Sequence, residues 1–460
     1  MRAGLDCEGY ERFPVFIVRT ADGLRRRSRL EEVKTHQVQQ TQVHPSSVVE
    51  KTNTSPRKAI GPMSSQSYLT AGYRIWFIGI LSGAPHVKQG LLLPSFWLAP
   101  ILSQPSSSFL LQEAVLAVAI KHTGEVYHDD HLRTTGMQMY GRMLSAFRSL
   151  LVQPKVCLDE NMLAIAGLLI LYELLDQADP GCDGWHAHVS GLATLVKQRG
   201  PYCYETPLAR GLLEHTRHQM MVQGLVYRQR SFLCETQWMN LPWRTVGKSF
   251  EQLVYDQGLL LGEVFEAVDM CSSNPNLSAR SSILLERCFH IIKQTEDLHH
   301  QIYQPSMIDC SDTTGSAVSS NAEKNDSHTL LLQITNLGIQ LGAYTAACQV
   351  LSTCNRPSKR NHAYDDLAQN GHSKYKLLQN ATLLVDLASR YLTAQNGPIG
   401  VAKLVFALRQ ARSVLLDDFV AWQECGKLLG RLGGDAWRLG QQVDIVATTG
   451  GGACRRLQSG

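Results

Sequence analysis

Apolar residues recur at helical spacing through the first half of the chain. One face repeats along Leu111–Val118 and another along Tyr140–Leu151, with an apolar residue at every third or fourth position. The segment Asn161–Leu175 is apolar almost all round, which is typical of a helix covered on every side. An amphipathic segment, Trp185–Val196, follows and stops before Gly200. The pattern predicts four packed helices.

The second half of the chain continues this pattern. Thr206 and Pro207 predict an N-cap followed by proline at the first helical position, for a helix that runs to about Leu233. Later helices are predicted at Ser281–Tyr303, His328–Leu351 and Tyr375–Ala394, and from about Gly400 onward. The polar stretches Gln304–Ser327 and Ser352–Lys374 are too long for tight turns, so we expect them to be mobile or poorly packed.

These patterns predict an all-α fold, a large helical bundle from about Leu110 to Leu432 with Asn161–Leu175 as its most buried element. Alternation typical of a strand is confined to Pro14–Val18, and no repeat of fixed period occurs. We divide the chain into residues 1–20, a flexible basic and polar linker at 21–66, a helical domain at 67–449 and a flexible tail at 450–460. Mobile loops are expected near 304–327 and 352–374.

Composition narrows the class of protein. Hydrophobic residues make up 44% of the chain and charged residues 18%, which is typical of a globular interior and excludes a wholly disordered chain. The twelve cysteines contain no C-x-x-C pair and no secretory signal precedes them, so we expect reduced thiols in the cytosol or nucleus. The longest apolar stretch, Ile75–Leu93, is interrupted by polar residues, so no membrane helix is predicted.

Charge gives little indication of nucleic-acid binding. The formal net charge of +4, with a pI of about 8.4, is too small to create a strong field over the molecule. The arginines at 25, 26, 27 and 29 form a local basic cluster. Such a cluster can be a nuclear import signal, but short basic runs are also common in solvated linkers.

Candidate metal ligands do not form a motif. Cys182, His186 and His188 have the right chemistry for zinc, but residues two apart point to different faces of a helix. We therefore expect His188 to pack or hydrogen-bond inside the bundle and His186 to face water. The Gly338-x-x-x-Gly342 spacing is expected to permit close helix packing.

Candidate catalytic residues are likewise without a pattern. Three Asp pairs lack the third acid of a magnesium diphosphate site, so we interpret them as solvated ends or faces of helices. These pairs are Asp129-Asp130, Asp365-Asp366 and Asp417-Asp418. No P-loop, G-x-S-x-G elbow or G-x-G-x-x-G fingerprint occurs. The chain is therefore not expected to be an enzyme, and no catalytic residue is assigned.

Five features in order along Ala114–Trp243 carry a family resemblance. They are the Ala-rich helix Ala114–His122, the helix from Tyr140 to Leu151, the Leu171-Tyr172-Glu173 helix end, the Trp185-x-x-His188-x-x-Gly191 helix ending at Arg199-Gly200, and the closing segment Phe232–Trp243. This string resembles the middle homology region of fungal-specific transcription factors. The periodicity from Ser281 to about Gly434 is similar to the rest of that domain.

The amino terminus adds a separate resemblance. Cys7, followed by Glu8-Gly9-Tyr10, is similar to the end of a binuclear zinc cluster, where the last of six cysteines precedes a Gly-Tyr pair. By this resemblance, residues 1–20 are the remnant of the end of a zinc-cluster DNA-binding domain. Cys7 is the single match, and one thiolate cannot build a tetrahedral zinc site. The resemblance therefore implies zinc only if an N-terminal extension supplies the other cysteines. Either the gene model is truncated, or the protein is a regulator that has lost its DNA-binding half.

The family's division of labour implies the function. In such regulators the zinc cluster reads DNA, while the helical domain controls activity through effectors, partners or self-association. We therefore expect a nuclear transcriptional regulator that binds DNA only with the cluster restored, pairs with itself or with related regulators, and responds to a small-molecule effector. Two alternatives are an interaction protein that modulates an intact relative and, less favoured, an all-α enzyme.

Overall fold

The computed structural model of the 460-residue chain describes part of it in detail. The described residues are 97–98, 101, 108–153, 156–175, 184–273, 281–303, 318–354, 374–393 and 398–434. Across these ranges the chain is helical and contains no strand. The predicted all-α fold class is confirmed.

The helices form two groups. The first comprises α1 (Phe109–Val126), α2 (Asp130–Leu151), α3 (Glu160–Leu175), α4 (Gly184–Arg199) and α5 (Pro207–Tyr227). A short helix, α6 (Thr236–Asn240), lies between the turns Phe232–Cys234 and Leu241–Trp243. The second group comprises α7 (Phe250–Ser273), α8 (Ser281–Tyr303), α9 (Val318–Cys354), α10 (Lys374–Thr393), α11 (Pro398–Val414) and α12 (Phe419–Gly434).

Side-chain caps begin several of these helices. The Asp129 carboxylate accepts hydrogen bonds from the backbone N–H groups of His131 and Leu132 at the start of α2, and Asp418 accepts one from Ala421 in α12. The Asp129 and Asp418 positions confirm the interpretation of two Asp pairs as helix ends. Thr206 caps α5 in the predicted manner, accepting from the Ala209 N–H ahead of the proline.

Helix α5 joins the two groups. In the first group α1 packs against α2 and α3, and α4 packs against α3 and α5. In the second group α9 contacts α7, α8, α10 and α11, and α12 lies against α11 and α10. Helix α5 contacts α3 and α4 on one side, and α7 and α11 on the other. The hydrophobic core is continuous through both groups.

The core is deepest at two helices. Every residue from Met162 to Glu173 in α3 is buried, as the all-round apolar pattern predicts. Helix α9 has an equally long buried run, 333–344. The expectation that α3 alone would be the most buried element was therefore too narrow. Gln333, Thr335, Asn336 and Gln340 interrupt the apolar pattern of α9, although they are buried as well.

The glycines of α9 allow other helices to approach closely. A Cβ atom at Gly338 would lie 2.7 Å from the Cβ of Ala407 in α11, and one at Gly342 would lie 2.8 Å from Leu261 in α7. Both separations are shorter than van der Waals contact. The prediction that this spacing serves close packing is confirmed.

Two predicted helix ends were wrong. Helix α5 stops at Tyr227 rather than near Leu233, because Arg228 adopts the left-handed conformation with φ of 55°. The Arg228 guanidinium is held there by both Asp269 carboxylate oxygens, at 2.7 and 2.8 Å. Helix α9 begins at Val318, inside the stretch expected to be mobile. A helix whose later turns are packed extends cheaply into residues such as those at 322–324, alanine, glutamate and lysine.

Other sequence predictions fall outside the described residues. These include the zinc-cluster match at Cys7, the linker at 21–66, the strand-like Pro14–Val18, the pair Asp365-Asp366 and the tail at 450–460. The same holds for 304–317 and 355–373 within the predicted loops. Among the helices that the structure describes, none is both long enough and apolar enough to cross a bilayer.

Candidate functional site

Helix α5 carries an unusual number of buried polar side chains. His215, Arg217, His218, Gln219 and Gln223 are all buried, on several faces of the helix. Polar groups removed from water are unfavourable unless the protein supplies hydrogen bonds or charges for them. We call these five residues and the side chains that bind them the α5 seam, and it is the candidate functional site.

On the side of α4 the seam consists of hydrogen bonds. The Trp185 indole N–H donates to the Gln219 carbonyl oxygen at 3.0 Å. The Gln223 amide nitrogen lies 2.6 Å from Nδ1 of His186 and 3.1 Å from the Ser190 hydroxyl. These contacts fix the register of α4 against α5, because a shift of one residue along either helix would break them.

A second buried network lies behind α4, where α2 and α3 meet it. The Tyr140 hydroxyl donates to Glu173 at 2.8 Å and lies 2.7 Å from Nε2 of His188. Since the single hydroxyl proton goes to the carboxylate, His188 donates from Nε2 to the Tyr140 oxygen. The Tyr140 and Tyr172 rings stack with centroids 4.0 Å apart. The Tyr140 side chain of α2 therefore contacts both α3 and α4.

The structure places His186 and His188, two of the residues considered as metal ligands, in separate hydrogen-bonding environments. His188 is buried and hydrogen-bonded, as expected. His186 was expected to face water, and that prediction was wrong: it is half-buried beside Gln223, with the Tyr227 ring centroid 4.4 Å away. The hydrogen bond with Gln223 keeps the His186 imidazole against α5. Cys182 lies outside the described residues, within which no three His, Cys, Asp or Glu side chains converge on a metal position.

On the side of α7 the seam is ionic. The guanidinium of Arg217, fully buried, donates to the Asp256 carboxylate and, at 3.0 Å, to the Gln252 carbonyl oxygen. Lys248 pairs with the other oxygen of Asp256. The Trp243 ring lies beside both cations, 5.5 Å from the guanidinium carbon of Arg217 and 5.9 Å from the Lys248 ammonium.

Burial shifts the pKa values of the acids and bases here. Burial lowers the pKa of Arg217, and the Asp256 carboxylate opposes that shift by stabilising the cation. Glu214, one helical turn before His218, has its pKa raised to about 6 by burial and by the nearby charge of Glu251. Arg210 and Arg217 act in the opposite direction. The folded protein therefore favours the neutral form of Glu214 more than the unfolded chain does.

Substituting Glu214 with Gln is expected to increase stability at pH 7.5 by about 1–2 kcal/mol, and to have little effect near pH 4.5. The folded pKa is raised, so the contribution of protonated Glu214 is complete below the unfolded value of 4.5 and is lost as pH rises through about 6. Urea unfolding of wild type and variant at each pH measures the difference. A gap that does not change with pH would contradict the assignment.

Some of these buried polar contacts could be predicted from the sequence, and others could not. His188 was predicted to pack or hydrogen-bond inside the bundle, and Trp185 begins a predicted amphipathic helix; both are buried and hydrogen-bonded. The Arg217–Asp256 pair was missed because its members are 39 positions apart on different helices. The sequence did contain a signal, because several consecutive polar residues lie in the middle of this predicted helix. A helix with one face toward water carries polar residues on that face alone, so consecutive polar residues indicate that some of them are buried.

Comparison with known proteins gives a partial match to this chain. An uncharacterized protein of Emericella nidulans, AN5342, is 28% identical over 128 residues, which is 28% of this chain. The match covers 27% of that protein's own length. No family model matches the chain, and no solved structure matches it either.

Changing Tyr140 to Phe is expected to lower the free energy of unfolding by about 1–3 kcal/mol, because the Glu173 and His188 groups lose the hydroxyl between them in a buried site. Thermal or urea unfolding provides the measurement. Tyr127→Phe is the matched control, since Tyr127 is 65% exposed and substitutions of exposed residues usually change stability little. Equal stability of the two variants would show that the Tyr140 hydroxyl does not stabilise the fold.

Proposed function

We propose that this chain is a nuclear transcriptional regulator of the fungal zinc-cluster type, whose helical domain controls activity by binding an effector or a partner. The proposal assigns DNA reading to a zinc cluster and regulation to the bundle. It assigns no catalytic residue. The helical domain corresponds to the region in which α1–α12 lie.

The observation that carries the proposal is the convergence of the residues behind the family resemblance. Tyr140, the Tyr172-Glu173 pair and His188 come from three separate motifs of that resemblance. They meet in one buried network joining α2, α3 and α4. A chance succession of bland motifs gives no reason for their side chains to meet. Their contact supports a shared fold over a coincidence of order.

Two further features support regulation. Helix α5 contacts both groups of helices through hydrogen bonds and ion pairs, so a ligand or partner that displaces α5 acts on both groups. Such discrete polar contacts are suited to switching between two arrangements. The similar protein AN5342 is also fungal, which agrees with the fungal character of the resemblance.

A fusion experiment tests the proposal. A heterologous binuclear zinc cluster is joined ahead of Ala3 of the full chain, and expression of a reporter behind the cluster's own operator is measured. We expect a several-fold change, in either direction, relative to the zinc cluster alone. The same fusion carrying Leu169→Asp is the control, because Leu169 is fully buried and the substitution disrupts the core. Equal expression from all three proteins would contradict the proposal.

The unmodified chain is expected to bind DNA without sequence preference. Base readout requires side chains held by a rigid element, and Cys7 alone cannot hold the zinc ions that fold such an element. The arginines at 25, 26, 27 and 29 can contact phosphates, with an affinity that falls steeply with salt. Mobility-shift and metal analyses provide the measurement. Salt-resistant, sequence-selective binding by this chain would overturn the assignment of DNA reading to a zinc cluster.

A further inference from the structure

A tryptophan that precedes α1 is inserted between α3 and α5. Trp97 is 1% exposed, and Leu98 and Ile101 are buried as well. All three side chains belong to the same core as the helices. Trp97, Leu98 and Ile101 are thus attached to the helices that follow them by their side chains and not by the chain connection alone.

Two glycines create the space for this tryptophan. A Cβ atom at Gly211 of α5 would lie 2.9 Å from both the backbone nitrogen and the Cβ of Trp97, and one at Gly167 of α3 would lie 3.1 Å from Cη2 at the far edge of the indole. A side chain at position 211 would displace the Trp97 backbone, and one at position 167 would press against the ring. We define the Trp97 groove as the space between α3 and α5 that Gly167, Gly211 and His215 bound. It holds one bicyclic aromatic ring.

The groove leaves two buried ring nitrogens without hydrogen bonds. The imidazole of His215 lies one turn after Gly211, with its centroid 5.1 Å from that of the Trp97 ring and the planes tilted by 46°. Among the described residues, neither Nε1 of Trp97 nor Nε2 of His215 has a hydrogen-bond partner. Burial lowers the pKa of His215 to about 4, so the imidazole is neutral at neutral pH. The indole fills the groove by shape but leaves its polar edge unsatisfied.

We propose that the Trp97 groove is a binding site for a planar aromatic heterocycle of indole size, and that Trp97 is its built-in competitor. A bicyclic ring with one more hydrogen-bonding atom at its edge fills the same space and gives His215 a partner that the indole does not give. Binding requires Trp97 to leave, which frees Leu98 and Ile101 from the core. The inference goes beyond the proposed function and does not depend on it, since binding alone tests it.

The first experiment uses the full chain with Trp97→Gly and two probes, indole and 7-azaindole. The probes have the same shape, and 7-azaindole has a ring nitrogen in place of one C–H group. We expect both to raise the melting temperature of the variant, and titration calorimetry to show about 2–10-fold tighter binding of 7-azaindole, the effect of one net hydrogen bond. Equal binding of the two probes would overturn the role given to His215.

Trp238→Gly is the matched control. Trp238 is also buried, but aromatic rings surround it, with Phe232 at 5.0 Å and Tyr204 at 6.2 Å between centroids. We expect neither probe to stabilise that variant, since no glycine-walled groove remains when its indole is removed. If both variants respond equally, the probes fill any cavity left by a tryptophan, and the groove is not a specific site.

The second experiment tests the competition in the wild-type protein. Trp97 is covalently attached and therefore competes for the groove at a high effective concentration. For this reason 7-azaindole is used at roughly a hundred times its Kd for the Trp97→Gly variant. We expect hydrogen exchange at the Leu98 and Ile101 amides to become several-fold faster. Should Trp97→Gly fail to fold, Trp97→Phe replaces it, and its smaller ring should yield at lower probe concentrations than the wild-type indole. Unchanged hydrogen exchange in the wild-type protein and in Trp97→Phe would overturn the proposal.

Discussion

Replacing Asp256 with alanine is expected to lower the free energy of unfolding by about 3–5 kcal/mol, because the buried guanidinium of Arg217 would keep its charge without its carboxylate. Gln252 would remain as a neutral acceptor, which compensates the lost charge only in part. Lys248 also loses its partner, but it is partly exposed and can turn to water. Urea unfolding monitored by circular dichroism gives the difference.

A matched surface pair and a double variant make this test specific. Asp269 binds Arg228 with similar geometry at a position that is about half exposed, so Asp269→Ala should cost less than about 1 kcal/mol. Replacing both members of the buried pair, Arg217→Met with Asp256→Leu, should recover most of the stability lost by Asp256→Ala. Similar losses for Asp256→Ala and Asp269→Ala would show that Arg217 does not depend on a buried ion pair.

Substituting Leu169 with Asp is expected to prevent folding or to cost at least about 5 kcal/mol, on the order of the whole stability of a domain. Leu169 lies in the middle of the buried run of α3 and is fully inaccessible to water. A carboxylate there has no partner within the apolar contacts of that run. Expression, solubility and the circular dichroism spectrum of the full chain measure the outcome.

Leu416→Asp is the control for the same change of residue. Leu416 is 71% exposed in the turn before α12, so its substitution should alter stability by no more than about 0.5 kcal/mol. A soluble, cooperatively unfolding Leu169→Asp protein would mean that α3 does not lie at the centre of the bundle.

The helices could be predicted from sequence because each one carries its own periodic signal. Ser281–Tyr303 was predicted with the bounds that α8 has, and the Thr206 cap places the start of α5 where it is. Helix ends were less predictable where they depend on distant residues. Helix α5 ends at the left-handed Arg228, and the guanidinium of Arg228 binds Asp269, which is 41 positions away. No local pattern contains that information.

The candidate site was less accessible to sequence reasoning than the fold was. The polar residues of α5 are visible in the sequence, but their burial depends on other parts of the chain. Helix α4 covers Gln219 and Gln223, and α7 covers Arg217. The groove that holds Trp97 depends on the absence of side chains at Gly167 and Gly211, and single glycines in helical segments carry no distinctive pattern. Buried polar and small residues are defined by their neighbours, which tertiary structure alone supplies.

The position of α5 also determines how the protein opens. Separating the two groups of helices would uncover Arg217 and Asp256 together with the apolar surface along which α5 contacts α7 and α11. Partial opening along this plane is therefore far less favourable than fraying of a terminal helix such as α12. In native-state hydrogen exchange, the slowest amides of α3 and those of α9 should consequently share one opening free energy, so that both groups behave as a single cooperative unit.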